Sequence, residues 1–105
     1  EPADVRLLFS TVQVLADAHG WERWGHIPSE RQRLMTLIEA TGANGVVLLT
    51  GDRHVGELYR VPQGVFGAPY AIHEVTSSSL THSYRGNESD PTRSDAPEPY
   101  RIGSM

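Results

Sequence analysis

The sequence predicts an α/β fold in which a strand, a helix and a second strand are followed by further strands and an irregular tail. A helical pattern of apolar residues runs through residues 29–41, and apolar stretches flank it on both sides. The second stretch, residues 46–49, is a continuous aliphatic run that is typical of a strand in a parallel sheet. The length of 105 residues fits one small domain or a piece of a larger one.

The chain begins with a predicted strand and an irregular connection. Residues 5–15 are rich in β-branched and apolar side chains, which favours a strand with a break near residues 10–11. Residues 16–28 carry Trp21 and Trp24 but have no regular apolar period. Large aromatic side chains in a loop usually fix that loop to the core.

The helix has predicted start and stop signals. Ser29 is a good N-cap residue, and Gln32 three positions later permits a capping box. Gly42 supplies the left-handed residue that commonly ends a helix. The residues predicted to face the core are Leu34, Leu37, Ile38 and Thr41, with Met35 at the flank.

The predicted elements provide too little surface to cover the aliphatic strand 46–49. The aliphatic strand 46–49 is of a kind that is usually covered on both faces, and strand, helix and strand in that order predict a right-handed crossover. Two more strands are predicted at residues 57–61 and 70–76. Four strands and one helix cannot cover both faces of the aliphatic strand. The chain is therefore expected to be part of a larger protein or to have an obligate partner.

Composition divides the chain and excludes some functions. Residues 1–84 have the composition of folded protein, whereas residues 85–105 are rich in proline and acids and indicate a loop or disordered tail. The net charge is −4 with no basic cluster, so a nucleic-acid-binding domain is not supported. No apolar run is long enough to span a membrane, and no cysteine is present to form a disulfide or a thiolate ligand.

Two metal-binding side chains follow the aliphatic strand. Asp52 and His54 stand one residue apart, directly after Gly51. A carboxylate and an imidazole suit iron, manganese or zinc, and side chains two apart on an extended segment point the same way. Ligands in open α/β sheets bind beyond the carboxyl ends of the strands. The pattern predicts half of a metal site, and the alternative is an ordinary polar loop.

Four stretches in order carry a family resemblance: STVQVLAD, ERWGHIPSERQRLMTLI, NGVVLLTGDRHVGELY and EVTSSSLTHS. Together they resemble the C-terminal part of the PhoD-like phosphatases, the alkaline phosphatase D family. The matching positions are Trp24, Gly25, Pro28, Glu30, Arg31, Gly51, Asp52, His54, Thr76, Ser77, Ser78, Leu80, Thr81 and His82.

The resemblance implies a calcineurin-like metallophosphoesterase, in which the chain forms part of a four-layer α/β/β/α sandwich. It implies hydrolysis of phosphate mono- or diesters at two or more metal ions, which iron, calcium, manganese or zinc would supply. Asp52 and His54 would then be metal ligands, and the other ligands would lie in an N-terminal part that this sequence lacks. The piece alone is expected to be inactive, to end before the family's final strand, and to belong to an exported protein, periplasmic or secreted.

Further residues have two interpretations each. His82 is a candidate catalytic residue near the phosphate or a metal, and the alternative is an ordinary loop histidine. Arg53 could bind a substrate phosphate, although alternation favours a structural salt bridge. Glu30 and Arg31 are expected to form a stabilising pair, and His73 is interpreted as a structural strand residue.

Two other functions stay open at this stage. The chain could be a non-catalytic binding module in which Trp21 and Trp24 anchor a partner and Asp52 and His54 are loop residues. It could also be a self-standing small domain. The second alternative conflicts with the aliphatic strand, because the chain lacks enough surface to cover it.

Overall fold

The computed structural model describes residues 4–16, 23–51, 56–77 and 100–104. Its elements are β1 (Arg6–Ser10), α1 (Pro28–Ala40), β2 (Val46–Thr50), β3 (Gly56–Val61), β4 (Ile72–Ser77) and β5 (Arg101–Ser104). Short 3₁₀ turns lie at Trp24–His26 and Val65–Gly67. The predicted α/β class is confirmed, with strand, helix and strand followed by further strands.

The five strands form one mixed sheet in the order β1-β2-β4-β3-β5. β1, β2 and β4 run parallel, while β3 is antiparallel to both β4 and β5. β2 therefore lies between two parallel neighbours, as its aliphatic sequence predicts. β1 ends at Ser10, at the break predicted near residues 10–11, and the chain then leaves the sheet.

The C-terminal strand corrects one expectation. Residues 85–105 are predicted to be a loop or disordered tail, but Arg101–Ser104 within them form β5. This strand pairs with β3 across a register shift at Leu58 and Tyr59, and Arg60 N donates to Tyr100 O at 2.9 Å. Four residues with one isoleucine carry too little apolar pattern to predict a strand, so pairing with β3 decides its structure.

Helix α1 begins two residues earlier than the predicted N-cap implies. Pro28 is the first helical residue and Ile27 is the N-cap, so Ser29 is not the cap and no capping box forms. Proline at this position needs no capping bond because it has no N–H, and its fixed φ suits the first turn. The N–H groups of Glu30 and Arg31 instead donate to Ile27 O, at 3.0 and 3.2 Å.

The end of α1 follows the prediction. Gly42 adopts φ 66°, its N–H donates to Glu39 O at 3.1 Å, and Ala43 N–H donates to Ile38 O at 3.2 Å. These two bonds form a Schellman motif, which satisfies carbonyl groups that the last turn leaves unpaired. The predicted glycine stop is therefore confirmed.

The buried face of α1 differs from the predicted one. Arg31, Met35 and Ile38 are buried, whereas Leu37 is 59% exposed. A hydrophobic pattern cannot predict this face because a charged residue occupies one of its core positions. The Arg31 guanidinium lies 3.5 Å from the centre of the Phe66 ring and donates to Val14 O at 3.3 Å.

The sheet has one covered face and one open face within the described residues. Helix α1 and residues 14–16 contribute to the apolar cluster of the covered face, whose strand members include Leu48, Tyr59 and Ile72. On the opposite face, Phe9 is 74% exposed. The other apolar members of this open face are Leu7, Val47, Leu49, Leu58 and Val75, of which Val47 and Leu49 are half-buried. The described residues thus cover only one face of the aliphatic strand.

Gly45 controls how the chain enters β2. Its φ is 65°, and a Cβ atom there would collide with the backbone carbonyl oxygen of Asp4. Arg6 N–H also donates to Gly45 O at 2.8 Å, so this approach fixes the start of β1 beside the start of β2. A side chain at position 45 would have to push the backbone of residue 4 away.

We expect Gly45→Ala to lower the free energy of unfolding by more than Gly42→Ala. Both glycines have positive φ, which costs an alanine roughly 1–2 kcal/mol, but a Cβ at Gly42 meets no atom within 4 Å. Gly45→Ala adds the clash with Asp4, for a total of about 3 kcal/mol. Urea unfolding of the two variants measures the difference, and equal losses would contradict the role of the close approach.

Candidate functional site

Several strand ends meet at one edge of the sheet. The register pairs Ser10 with Thr50, Thr50 with Thr76, and Ser77 with Gly56. The carboxyl ends of β1, β2 and β4 therefore lie together with the amino end of β3. We call this the carboxyl edge, and it is where ligands bind in open α/β sheets.

The predicted site residues lie outside the described residues, in segments that adjoin this edge in the sequence. Asp52, Arg53 and His54 fall between Gly51, which follows β2, and Gly56, which begins β3. His82 follows β4, whose last residue is Ser77, and also falls outside the described ranges. The topology brings Gly51, Gly56 and Ser77 to one edge, whereas the placement of Asp52, His54 and His82 stays a prediction.

A buried polar network lies beneath the carboxyl edge. The side-chain amide Nε2 of Gln13 donates to Thr76 Oγ1 at 3.0 Å and to Glu57 Oε1 at 3.2 Å. The hydroxyl oxygens of Thr76 and Thr50 lie 2.9 Å apart. All four side chains are buried, so these bonds form away from water, where an unpaired polar group is costly.

Glu57 receives two further hydrogen bonds. Its Oε2 accepts from Tyr59 OH at 3.0 Å and from Arg101 Nη1 at 3.0 Å. The Arg101 bond is also an ion pair between β5 and β3. A buried carboxylate is tolerated when it is paired and hydrogen-bonded in this way.

Glu74 fastens the segment after β1 to the sheet. Its two carboxyl oxygens accept the backbone N–H groups of Val14, at 2.6 Å, and Leu15, at 3.1 Å. Burial is the largest influence on this carboxyl and raises its pKa to about 7, although the bonds from Val14, Leu15 and Thr50 oppose the rise. The negative charge of Glu57 adds to the increase.

Arg31 and Glu30 do not form the predicted pair. Glu30 bonds Arg33 one helical turn along, at 3.0 Å, on the exposed surface. Arg31 turns inward, where it contacts Phe66 and Val14 O. Its aromatic and carbonyl partners explain the burial of the charge, since the guanidinium can stack and donate at the same time. Arg31 thus joins α1 to the segment that Glu74 holds.

Trp24 fixes the connection that leads into α1. Its Nε1 donates to Ser10 Oγ at 3.1 Å, and its backbone N donates to Gln13 O at 2.8 Å. The side chain is half-buried against the core, which agrees with the predicted role of a loop anchor. Trp21 lies outside the described residues.

The two described histidines, His26 and His73, are both exposed. His73 is exposed on β4, on the opposite side of the sheet from its neighbour Glu74. His26 is also exposed, with Nε2 2.6 Å from Arg23 Nη1. Among residues 4–16, 23–51, 56–77 and 100–104, no three His, Cys, Asp or Glu side chains are grouped to hold a metal ion.

An open cavity lies along the same edge. It has a volume of about 570 Å³ and is lined by residues of three strands. The lining residues are Gly56, Glu57, Leu58, Val75, Thr76, Ser77 and Gly103. Apolar walls and a few polar groups are the usual composition of a ligand pocket, and the lining includes Gly56 and Ser77, which adjoin segments 52–55 and 78–82 in the sequence.

The polar network is not among the features predicted from the sequence. Gln13, Glu74 and Thr76 each occupy a polar position within an apolar stretch, at inward-facing points of the structure. A polar residue on the buried side of a period-two pattern is the signal that could have indicated them. Their partners come from distant parts of the chain, which the pattern alone does not identify.

Comparisons with known proteins place the chain in a family. The family model for PhoD-like phosphatases matches residues 6–103, which include all five strands apart from the last residue of β5. No curated protein shows significant similarity. A solved structure of PhoD has a TM-score of 0.58 and 21% sequence identity, covering 75% of this chain and 17% of its own.

The chain belongs to the PhoD-like phosphatase family, as the ordered sequence stretches predicted. At 21% identity, the likeness to solved PhoD shows that the fold is shared. The chain spans about a sixth of the length of that structure. In the part of the chain that the structure describes, no helix has the length and apolar character to cross a membrane.

We expect the free energy of unfolding to fall as the pH rises from about 4.5 to about 7, because Glu74 loses its proton at a higher pH in the folded protein than in the unfolded chain. In this window the folded protein keeps a proton on Glu74 that the unfolded chain has released, because the pKa rises from 4.5 to about 7 on folding. The contribution lost is on the order of 3 kcal/mol.

Glu74→Gln removes the titrating group and should remove this part of the pH dependence. Urea unfolding of the wild type and of Glu74→Gln at pH 4 to 8 measures the difference between the two. Glu39→Gln, at an exposed position on α1, is the matched control and should keep the wild-type slope. Parallel profiles for the wild type and Glu74→Gln would contradict the titration of Glu74.

Proposed function

We propose that the full protein hydrolyses phosphate mono- or diesters and that this chain supplies part of its active site. The observation that carries the proposal is the family match over residues 6–103. The carboxyl edge supports it, because that edge gathers the ends of the segments that hold Asp52, His54 and His82. The substrate is a phosphate ester, and the chain alone is expected to be inactive.

We further propose that Asp52 and His54 are metal ligands in a site of two or more ions. Iron, calcium, manganese and zinc are the candidates. Such ions lower the pKa of a water molecule and stabilise charge on phosphoryl oxygens. The described residues contain no cluster of three metal-binding side chains, so the remaining ligands must come from other segments. His82 is proposed to lie near the phosphate or a metal.

The described residues have a supporting role in this proposal. The buried network under the carboxyl edge holds the ends of β2, β3 and β4 in register. The cavity beside Gly56 and Ser77 offers space at the same edge. Preorganised supports of this kind matter because active-site groups must be held within about 0.5 Å of their productive positions.

The N-terminal part of the same protein is the proposed partner of the open face. That face carries Phe9, Leu7 and Leu58, whose exposure leaves apolar surface in contact with water. An apolar face of a sheet is normally covered by another layer, and a second sheet would make the four-layer α/β/β/α sandwich expected for the family. Export of the protein, periplasmic or secreted, is proposed from the same resemblance.

A non-catalytic binding module is the second candidate. A groove of about 520 Å³ runs beside α1, and the partly exposed Trp24 and the exposed Leu37 contribute to its lining. A protein partner could use these apolar groups. Metal analysis of the full protein separates the two candidates, since a protein with no bound transition metal or calcium would favour the binding module.

We expect Asp52→Asn and His54→Ala in the full protein each to reduce phosphate release from an aryl phosphate ester at least 100-fold. Loss of one ligand leaves the ion poorly held and poorly oriented, which typically removes most activity. Asp4→Asn makes the same chemical change as Asp52→Asn at an exposed position before β1 and should retain activity within about twofold. Full activity of the Asp52 and His54 variants would remove the proposed site.

We expect the chain expressed alone to self-associate through the open face. Phe9→Thr should shift its sedimentation toward the monomer, because Phe9 is the most exposed large apolar residue of that face. Leu37→Thr removes a comparably exposed apolar side chain from α1 and should leave the association unchanged. A concentration-independent monomer of the unmodified chain would contradict the need for a covering partner.

A further inference from the structure

We propose that Gln13 is a positioning residue for the phosphoesterase reaction, because its side-chain amide joins the two flanks of segment 52–55. The inference rests on the proposed function, in which Asp52 and His54 of that segment act on the substrate. Gln13 itself comes from the turn after β1, so a third part of the chain fixes both flanks.

The hydrogen bonds reach each flank separately. Thr50 directly precedes Gly51, and its hydroxyl lies 2.9 Å from that of Thr76. Gln13 Nε2 donates to this Thr76 hydroxyl at 3.0 Å, which connects it to the first flank. The same nitrogen donates to Oε1 of Glu57 at 3.2 Å, directly after Gly56 on the second flank. Both bonds can form together because an amide nitrogen carries two hydrogens.

Gln13, Thr76 and Glu57 form a hydrogen-bonded bridge between the two flanks. The bridge is rigid because its members are buried and because Glu57 has further hydrogen-bond partners. Gln13 is 0% exposed and Thr76 is 1% exposed, so water cannot replace a lost bond at low cost. The other oxygen of Glu57 is held by Tyr59 and Arg101. Glu57 therefore cannot easily turn to follow a displaced flank, and the Gln13 amide adds a side-chain link to the strand pairing that already sets the register of Thr50, Thr76 and Glu57.

A neutral donor is required at position 13. Glu57 presents a carboxylate oxygen to Gln13, and Glu74 accepts the N–H of the next residue, Val14, at 2.6 Å. A carboxylate at position 13 would place a third acid in this buried region, whereas an amide donates without adding charge. The chemistry of the surroundings thus selects an amide rather than an acid.

The proposed effect follows from the position of the bridge. Groups that orient metal ligands from outside the coordination sphere typically contribute 10–100-fold to activity or metal affinity. Gln13 acts through the residues on each side of segment 52–55 and not by contact with substrate. Its loss should therefore loosen the two flanks and slow the reaction without unfolding the sheet.

The test is Gln13→Met in the full protein, since methionine has a similar length and no N–H donor. At saturating aryl phosphate ester we expect kcat to fall at least tenfold. In the chelator-treated protein, hydrogen exchange of the backbone amides at positions 50, 51, 56 and 57 should accelerate about tenfold, while that of α1 stays unchanged. Gln63→Met makes the same change in an exposed turn and should alter neither measurement more than twofold.

Thr76→Val and Thr76→Ser provide a second test if Gln13→Met does not fold. Valine keeps the shape of threonine but removes the hydroxyl that links Gln13 to Thr50, whereas serine keeps the hydroxyl. We expect the valine variant to show the tenfold loss in kcat and the faster exchange, and the serine variant to stay within threefold of wild type. Equal behaviour of the two variants would overturn the inference.

The two measurements separate this inference from the proposed function. Unchanged exchange at the flanks in Gln13→Met overturns the positioning role, even if the enzyme is active. A kcat within twofold of wild type, in an active protein, overturns it as well. A wild-type protein that releases no phosphate overturns the proposed function and with it the catalytic part of this inference, while exchange still decides whether the bridge exists.

Discussion

The bond between the Glu74 carboxyl and two consecutive backbone N–H groups organises this structure. It fixes Val14 and Leu15 against β4, and this brings Gln13 beneath the ends of β2 and β3. Arg31 of α1 donates to Val14 O, so the helix also holds this segment. Without Glu74 the buried N–H groups of Val14 and Leu15 would need other acceptors. The segment after β1 would then lose two of the hydrogen bonds that hold it against the sheet.

The regular elements could be predicted because local pattern and final environment agree. The aliphatic run became the central parallel strand, and Gly42 ended the helix in a Schellman motif. Predictions failed where a distant partner decided the outcome. Arg31 occupies a core position because Phe66 and Val14 receive it, and β5 forms because β3 offers an unpaired edge. The pattern of neighbouring residues cannot predict partners that are distant in the sequence.

The residues of the candidate site also fall into two groups, those that local sequence predicts and those that depend on distant partners. Asp52 and His54 could be selected from the sequence because their chemistry and their place after a strand are both local features. The supporting groups, which belong to Gln13, Thr50, Glu57 and Thr76, could not be selected in this way. They contact one another only after three strands and the turn after β1 have come together. The sheet edge is therefore a composite, in which the groups proposed for chemistry are local and the groups that hold their flanks are distant in sequence.

The distance along the chain between those supports has a kinetic consequence. The bond from Val14 to Glu74 joins residues 60 positions apart, and that from Gln13 to Thr76 joins residues 63 apart. Closing loops of this length costs entropy before any contact repays it, and proteins dominated by such contacts fold slowly. We expect the carboxyl edge to assemble late, after the apolar strands have paired. A newly synthesised chain would then pass through a state in which the strands have paired but the buried polar contacts at the carboxyl edge have not yet formed.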